Sequence, residues 1–156
     1  MTATWTAKLS ELGIELPNVA APVAAYVPAT KVDNQVWTSG QLPLIDGALP
    51  ATGKVGAEVS AEDAYGYARQ AALNAIAAVD ALVGVDNIAR VLKIVGFVAS
   101  EPSFTGQPAV INGASDLMKE VFGDAGEHAR SAVGVAVLPM DTPVEVELVV
   151  ELKEDA

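Results

Sequence analysis

An α+β fold, with two main helices packed on one face of a single sheet, is predicted from three observations. Ser60 to Gly84 and Pro108 to Gly123 carry apolar residues at helical spacing between recognisable start and stop residues. Other segments, rich in valine and isoleucine and bounded by Pro, Gly and Asp turns, read as strands. Finally, 51% of the 156 residues are apolar, enough to bury one substantial core and too many for a disordered chain. The expectation is one domain over residues 1–156, with residues 1–17 as a helical appendage.

Thr4 to Leu12 reads as a short amphipathic helix stopped by Gly13. Pro22 to Lys31 and Gln35 to Leu42 read as strands joined by a hairpin turn at Val32-Asp33-Asn34, with Pro28 marking an irregular or edge position. Leu44 to Glu58 is predicted as loop with at most one short strand, because Gly47, Pro50, Gly53 and Gly56 interrupt it. Ser60 suits a helix N-cap, and Glu62 and Asp63 suit its dipole. The stripe Ala68, Ala72, Ala75, Ile76, Val79, Leu82 and Val83 is rich in alanine and permits close approach to a sheet. Arg90 to Ala99 is apolar on both parities, which predicts a strand covered on both faces. Pro108 fits the first turn of the second main helix. Arg130 to Leu138 and Val144 to Leu152 complete the sheet.

Alternation assigns faces. Val133, Val135 and Val137 share one parity, and Val144, Val146, Leu148 and Val150 another; these valine-rich sides are predicted to face the helices. Arg130, Ala132, Gly134 and Glu145 then share the opposite face. Two helices cannot cover both faces of the sheet, so the second is expected to be covered by other subunits.

Composition excludes several classes of function. A formal charge of −11, with no basic run, opposes nucleic-acid binding. The longest apolar stretches are broken too soon to cross a membrane, and Met1 to Trp5 lacks the form of a signal peptide, so a cytoplasmic protein is expected. The absence of cysteine removes disulfides, thiol nucleophiles and thiolate metal sites, and a single histidine, His128, cannot build a histidine-rich metal centre. Gly53-Lys54-Val55-Gly56 lacks the remaining features of a phosphate loop.

Arg130 stands out at the head of an apolar strand, and is one of only three arginines. A guanidinium keeps its charge and requires a partner, and its planar fork suits a carboxylate or phosphate. The partner is either a ligand or a protein carboxylate, with Glu145 the obvious choice.

Tyr26, Thr38-Ser39-Gly40-Gln41-Leu42-Pro43, Ala68-Arg69-Gln70-Ala71-Ala72-Leu73-Asn74, Asn112, Ala129-Arg130-Ser131, Leu138-Pro139 and Val144-Glu145-Val146, taken in order, resemble the Rid/YjgF family of reactive intermediate deaminases. The resemblance implies a chorismate-mutase-like mixed sheet and a homotrimer with clefts between subunits. It implies hydrolysis of small 2-imino or 2-enamino acids to 2-keto acids and ammonia without metal or organic cofactor. Arg130 would bind the substrate carboxylate, Glu145 would activate water and transfer protons, and Tyr26, Ser39, Gly40 and Asn112 would line the cleft. Ala132 stands where the deaminating branch usually carries cysteine, and His128 where proline or alanine is usual. These departures and the leading helix resemble a longer branch of the family.

Each residue also has a plainer reading. Glu145 shares its parity with Glu147 and Glu151, a pattern that fits a solvated edge; Tyr26 fits a packed aromatic, and Ser39 and Gly40 fit a strand end. Asn112 fits a local cap and His128 a surface turn. A non-enzymatic carboxylate-binding sensor or interaction module is the alternative function. RNA cleavage, a label carried by some family members, is disfavoured by the acidic charge, the single histidine and the lack of a basic groove.

Overall fold

Helix α1 (Trp5–Glu11) begins where the Thr4 hydroxyl accepts the Ala7 N–H, and Trp5 fastens it to the body of the protein. The indole N–H donates to the Ile88 carbonyl at 2.7 Å and its ring packs edge-on against Phe122. Asp86 accepts both the backbone N–H and the hydroxyl of Thr6. The computed structural model describes residues 4–19 and 24–156.

Strands β1 (Ala29–Val32) and β2 (Gln35–Thr38) form the expected hairpin around Asp33 and Asn34. Both are shorter than predicted. β1 begins after Pro28; Pro22 and Val23, in the predicted N-terminal part of this strand, lie outside the described residues. Beyond Thr38 the regular ladder ends: the Ser39 N–H donates to the Pro28 carbonyl at 2.8 Å, and Gln41 then bridges to Val146. Helix α2 (Ala61–Val83) starts as predicted, the Ser60 hydroxyl accepting the Asp63 N–H, an arrangement whose loss typically costs about 1 kcal/mol. Strand β3 (Ile88–Ala99) and helix α3 (Gln107–Phe122) follow, then β4 (Ala129–Val135) and β5 (Val144–Leu152).

The sheet order is β1-β2-β5-β3-β4. All pairs are antiparallel except β3 with β4, so the sheet is mixed and β4 is an edge strand. Helices α2 and α3 pack together on one face: α2 lies over β5, with its alanines and Val146 and Leu148 in the core, and α3 lies over β3 and β4, above Ile94 and Val98. Among the described residues, no helix is long and apolar enough to cross a membrane.

Register corrects the predicted facing of β4. Ile94 pairs with Leu148 on one side and with Arg130 on the other, so these side chains share a face. Ile94 and Leu148 are fully buried beneath the helices, so Arg130 lies on the helix side with Ala132 and Gly134. Phe97 pairs with both Glu145 and Val133, which puts those two on the open side. Arg130 and Glu145 therefore occupy opposite faces, against the sequence expectation. The physical reason is α3. It sits so close to the sheet that a Cβ on Gly96 would overlap Ile111, and one on Gly134 would press on Gln107. Beyond Arg130, whose long side chain runs along the flank of α3, the helix side of β4 carries the small Ala132 and Gly134, and the valines face outward, where Val133 is 43% exposed. The expectation that both faces of β3 are covered fails within this chain: Val95 and Phe97 are only partly buried, and Trp37, on the same open face, is 50% exposed.

The contact between α2 and α3 depends on Gly113, where an added Cβ would overlap the Tyr65 carbonyl, whereas Gly66 has open space around it. Gly113→Ala is expected to cost about 1–3 kcal/mol through overpacking. Gly66→Ala is expected to add about 0.5–1 kcal/mol by stiffening the helix. Denaturant midpoints of the two variants should move in opposite directions; a shared direction would refute the packing account.

Candidate active site

Arg130 reaches from the edge strand to the flank of α3. Its Nη1 donates to Asn112 Oδ1 at 2.8 Å and to Ser115 Oγ at 3.2 Å. Asn112 and Ser115 lie three residues apart and so share one helix face. Both partners are neutral. Arg69 pairs with Glu120 at 2.9 Å and Arg90 with Glu151 at 3.3 Å, but Arg130 pairs with no carboxylate among the described residues. The predicted alternative, an ion pair with Glu145, does not form within the chain.

The geometry leaves a defined edge available. Nη1 carries two hydrogens, and its two acceptors account for both. Nε and Nη2 form the parallel pair of donors that remains, the side-on fork that matches the two oxygens of a carboxylate. Ala132, two residues along the same face, is half-buried against the core and leaves the strand beside Arg130 without bulk.

Glu145 stands on the other face in a cross-strand row with Phe97 and Val133. Its carboxylate fills the place where a Cβ on residue 40 would go: a methyl group there would lie 2.5 Å from Oε1, so Gly40 makes room for it. The Ser39 hydroxyl donates to the Val27 carbonyl at 2.6 Å, so in this chain it supports local backbone. Tyr26 is 53% exposed, which removes its reading as a packed core aromatic. The predicted residues thus fall into two groups: Arg130 with Asn112 on the helix side, and Glu145 with Gly40 on the open side. Within one chain they do not meet.

Sequence reasoning missed Ser115, although its spacing from Asn112 was a readable signal. It also read His128 as a surface turn. His128 is half-buried, its Nε2 2.9 Å from Ser115 Oγ and its Nδ1 2.6 Å from the Gly126 carbonyl. Among the described residues no group of three or more His, Asp or Glu side chains gathers in a way that could hold a metal ion. Two open cavities, of about 650 and 590 Å³, lie beside the segment from Gly13 to Val19 and are not lined by any predicted site residue.

Residues 6–152 match the model of a family described as "YjgF/chorismate mutase-like, putative endoribonuclease". The chain belongs to the YjgF family. It is 46% identical over 148 residues to Protein TCP17 of Trypanosoma cruzi, covering 94% of this chain and 92% of that one. It is 32% identical over 136 residues to the 2-iminobutanoate/2-iminopropanoate deaminase of Escherichia coli K12, covering 87% and 94%. The crystal structure of Atu1372 from Agrobacterium tumefaciens, a protein of unknown function, superposes with a TM-score of 0.87 at 44% identity, covering 96% and 92%.

In this YjgF protein the open-face carboxyl is electrostatically unusual. Burial raises the pKa of Glu145 above the usual 4.5, and the neighbouring charge of Glu147 raises it further. Folding therefore favours the protonated form. Below 4.5 the group adds no pH-dependent penalty; as pH rises through that value the unfolded chain ionises first, and the folded state loses stability until its own raised pKa is passed. Glu145→Gln removes this dependence. The melting temperature of the variant relative to the wild type should climb across that window and level off above it. A difference that ignores pH would show the carboxyl to be unperturbed.

Proposed function

We propose that this is a cytoplasmic, cofactor-free deaminase that hydrolyses small 2-imino acids to 2-keto acids and ammonia, in a cleft assembled between subunits of a homotrimer. The observation that carries the reading is Arg130: an arginine with no carboxylate partner among the described residues, held by two neutral side chains with its side-on fork left for a ligand. The name of the E. coli relative supplies the reaction class.

The chemistry balances without a cofactor. The substrate carboxylate docks on the Nε and Nη2 donors of Arg130, which fixes the imine carbon in space. Glu145, as carboxylate, takes a proton from water as the water oxygen attacks the carbon of the protonated imine, giving a neutral tetrahedral carbinolamine. Returned to the nitrogen, that proton makes ammonia the leaving group. As the C–N bond breaks, the carbinolamine hydroxyl gives its proton to the Glu145 carboxylate, which leaves the keto acid and ammonia and a carboxyl that releases its proton to solvent. A carboxyl with a raised pKa suits both halves of this transfer. Because Glu145 and Arg130 lie on opposite faces of one sheet, the reading requires Glu145 of one subunit to meet Arg130 of another. The exposed apolar open face, with Trp37 and Val133, is where subunits would associate in this scheme. Tyr26, Ser39, Gly40 and Asn112 complete the cleft in the same reading.

An amino-acid oxidase generates 2-imino acids, and semicarbazide traps them; an active protein diverts them to keto acid before trapping. Arg130→Ala is expected to lower that diversion by roughly a hundredfold or more through lost orientation. Glu145→Gln should lower it too. Co-expressing the two variants should restore activity, since mixed assemblies contain clefts with one intact Arg130 and one intact Glu145. Lack of diversion by assembled wild-type protein across varied imino acids, with keto-acid binding still lost in Arg130→Ala, would favour a carboxylate sensor instead.

A further inference from the structure

We propose that Ser115 and His128 are positioning residues that hold the Arg130 guanidinium in its ligand-binding orientation. The proposal rests on the reading of Arg130 as a carboxylate anchor. It assigns a role to two side chains that the reaction scheme leaves unused.

The Gly126 carbonyl can only accept, so the 2.6 Å contact requires a proton on His128 Nδ1. In the uncharged ring Nε2 is then an acceptor, and at 2.9 Å it takes the Ser115 hydroxyl hydrogen. With its hydrogen committed to the ring, Ser115 Oγ turns a lone pair toward Arg130 Nη1 at 3.2 Å. The relay thus runs from Arg130 to Ser115 to His128 to Gly126, each donor pointing one way.

Its far end is firmly anchored. Gly126 is buried, and a Cβ there would overlap the Met118 carbonyl on α3. The turn before β4 is therefore pressed against the same helix that carries Ser115 and Asn112, which fixes the position of the Gly126 carbonyl. Asn112 alone would leave the guanidinium free to swing about one hydrogen bond. The second bond, made directional by His128, locks the plane and so determines where Nε and Nη2 point. Supporting hydrogen bonds of this kind hold a ligand-binding group in the orientation that binding requires.

His128 is the sole histidine, so its ring nitrogens give isolated signals in ¹⁵N NMR spectra. With the ring uncharged, the proton should reside on Nδ1. Pyruvate, used as the carboxylate probe, should shift the Nε2 signal in the wild type and leave it unmoved in Arg130→Ala. By calorimetry, Ser115→Ala should weaken pyruvate binding about five- to tenfold, the effect of one lost hydrogen bond. Ser115→Thr, which keeps the hydroxyl, should bind within about twofold of the wild type by the same logic. A proton on Nε2 overturns the relay. So does pyruvate binding that needs Arg130 but leaves both the His128 signals and the Ser115→Ala affinity unchanged, an outcome that spares the carboxylate reading. Pyruvate binding that is absent, or indifferent to Arg130→Ala, overturns both.

Discussion

The parallel register of β4 on β3 governs everything that happens at Arg130. Pairing Arg130 with Ile94 places the guanidinium on the helix side of the sheet, and the edge position of β4 keeps it at the rim of the buried layer. A charge one strand further in would lie beneath α2 and α3, where removing it from water is costly without a counter-charge. At the rim, two neutral acceptors suffice. The same register puts Ala132 and Gly134 beside it, and at Gly134 α3 lies so close that a Cβ would press on Gln107.

Much of the fold was readable because local signals agreed with one another. Ser60 and Gly84 bound α2 as its capping pattern indicates, and α3 and β5 fall within a residue of their predicted limits. The facing of β4 was misread, and the cause is specific. Assigning valines to the core assumes that burial within one chain determines which side is apolar. Here the buried side is constrained by volume, and the valines Val133 and Val135 are left to the open face. An apolar parity reports a surface removed from water somewhere, by helices or by another molecule; alternation cannot say which. The Arg130–Asn112 contact joins residues whose neighbourhood was read from resemblance alone; Ser115 could have been found by its spacing from Asn112, while His128 became visible as its partner only once α3 and the turn at Gly126 were in place.

A chain with a formal charge of −11 is an unpromising receptor for an anion at long range. Screening limits that objection: at physiological salt, exposed charges more than about 8 Å apart scarcely interact. What matters is the local count. Arg69 and Arg90 are neutralised by Glu120 and Glu151, so their fields are largely local dipoles. Arg130 keeps a full charge because its partners are an amide and a hydroxyl. Held by dipoles, its position is fixed and its charge remains available.

The separation of Arg130 from Glu145 has a consequence for both groups. Register separates them as well as facing: β3 lies between their strands, and Arg130 is level with Ile94 whereas Glu145 is level with Phe97, three residues further along. An ion pair between them would offset the charge of the arginine and hold the Glu145 carboxyl down. On opposite faces neither happens. Glu145 lies beside Phe97, and burial and then the like charge of Glu147 raise its pKa; Arg130 meets neutral side chains and keeps its fork open. A single subunit therefore carries two groups prepared for complementary tasks and prevented from quenching each other. The proposed cleft exploits that arrangement, because cation and carboxyl meet only where a second subunit brings them together, with room for a substrate between them.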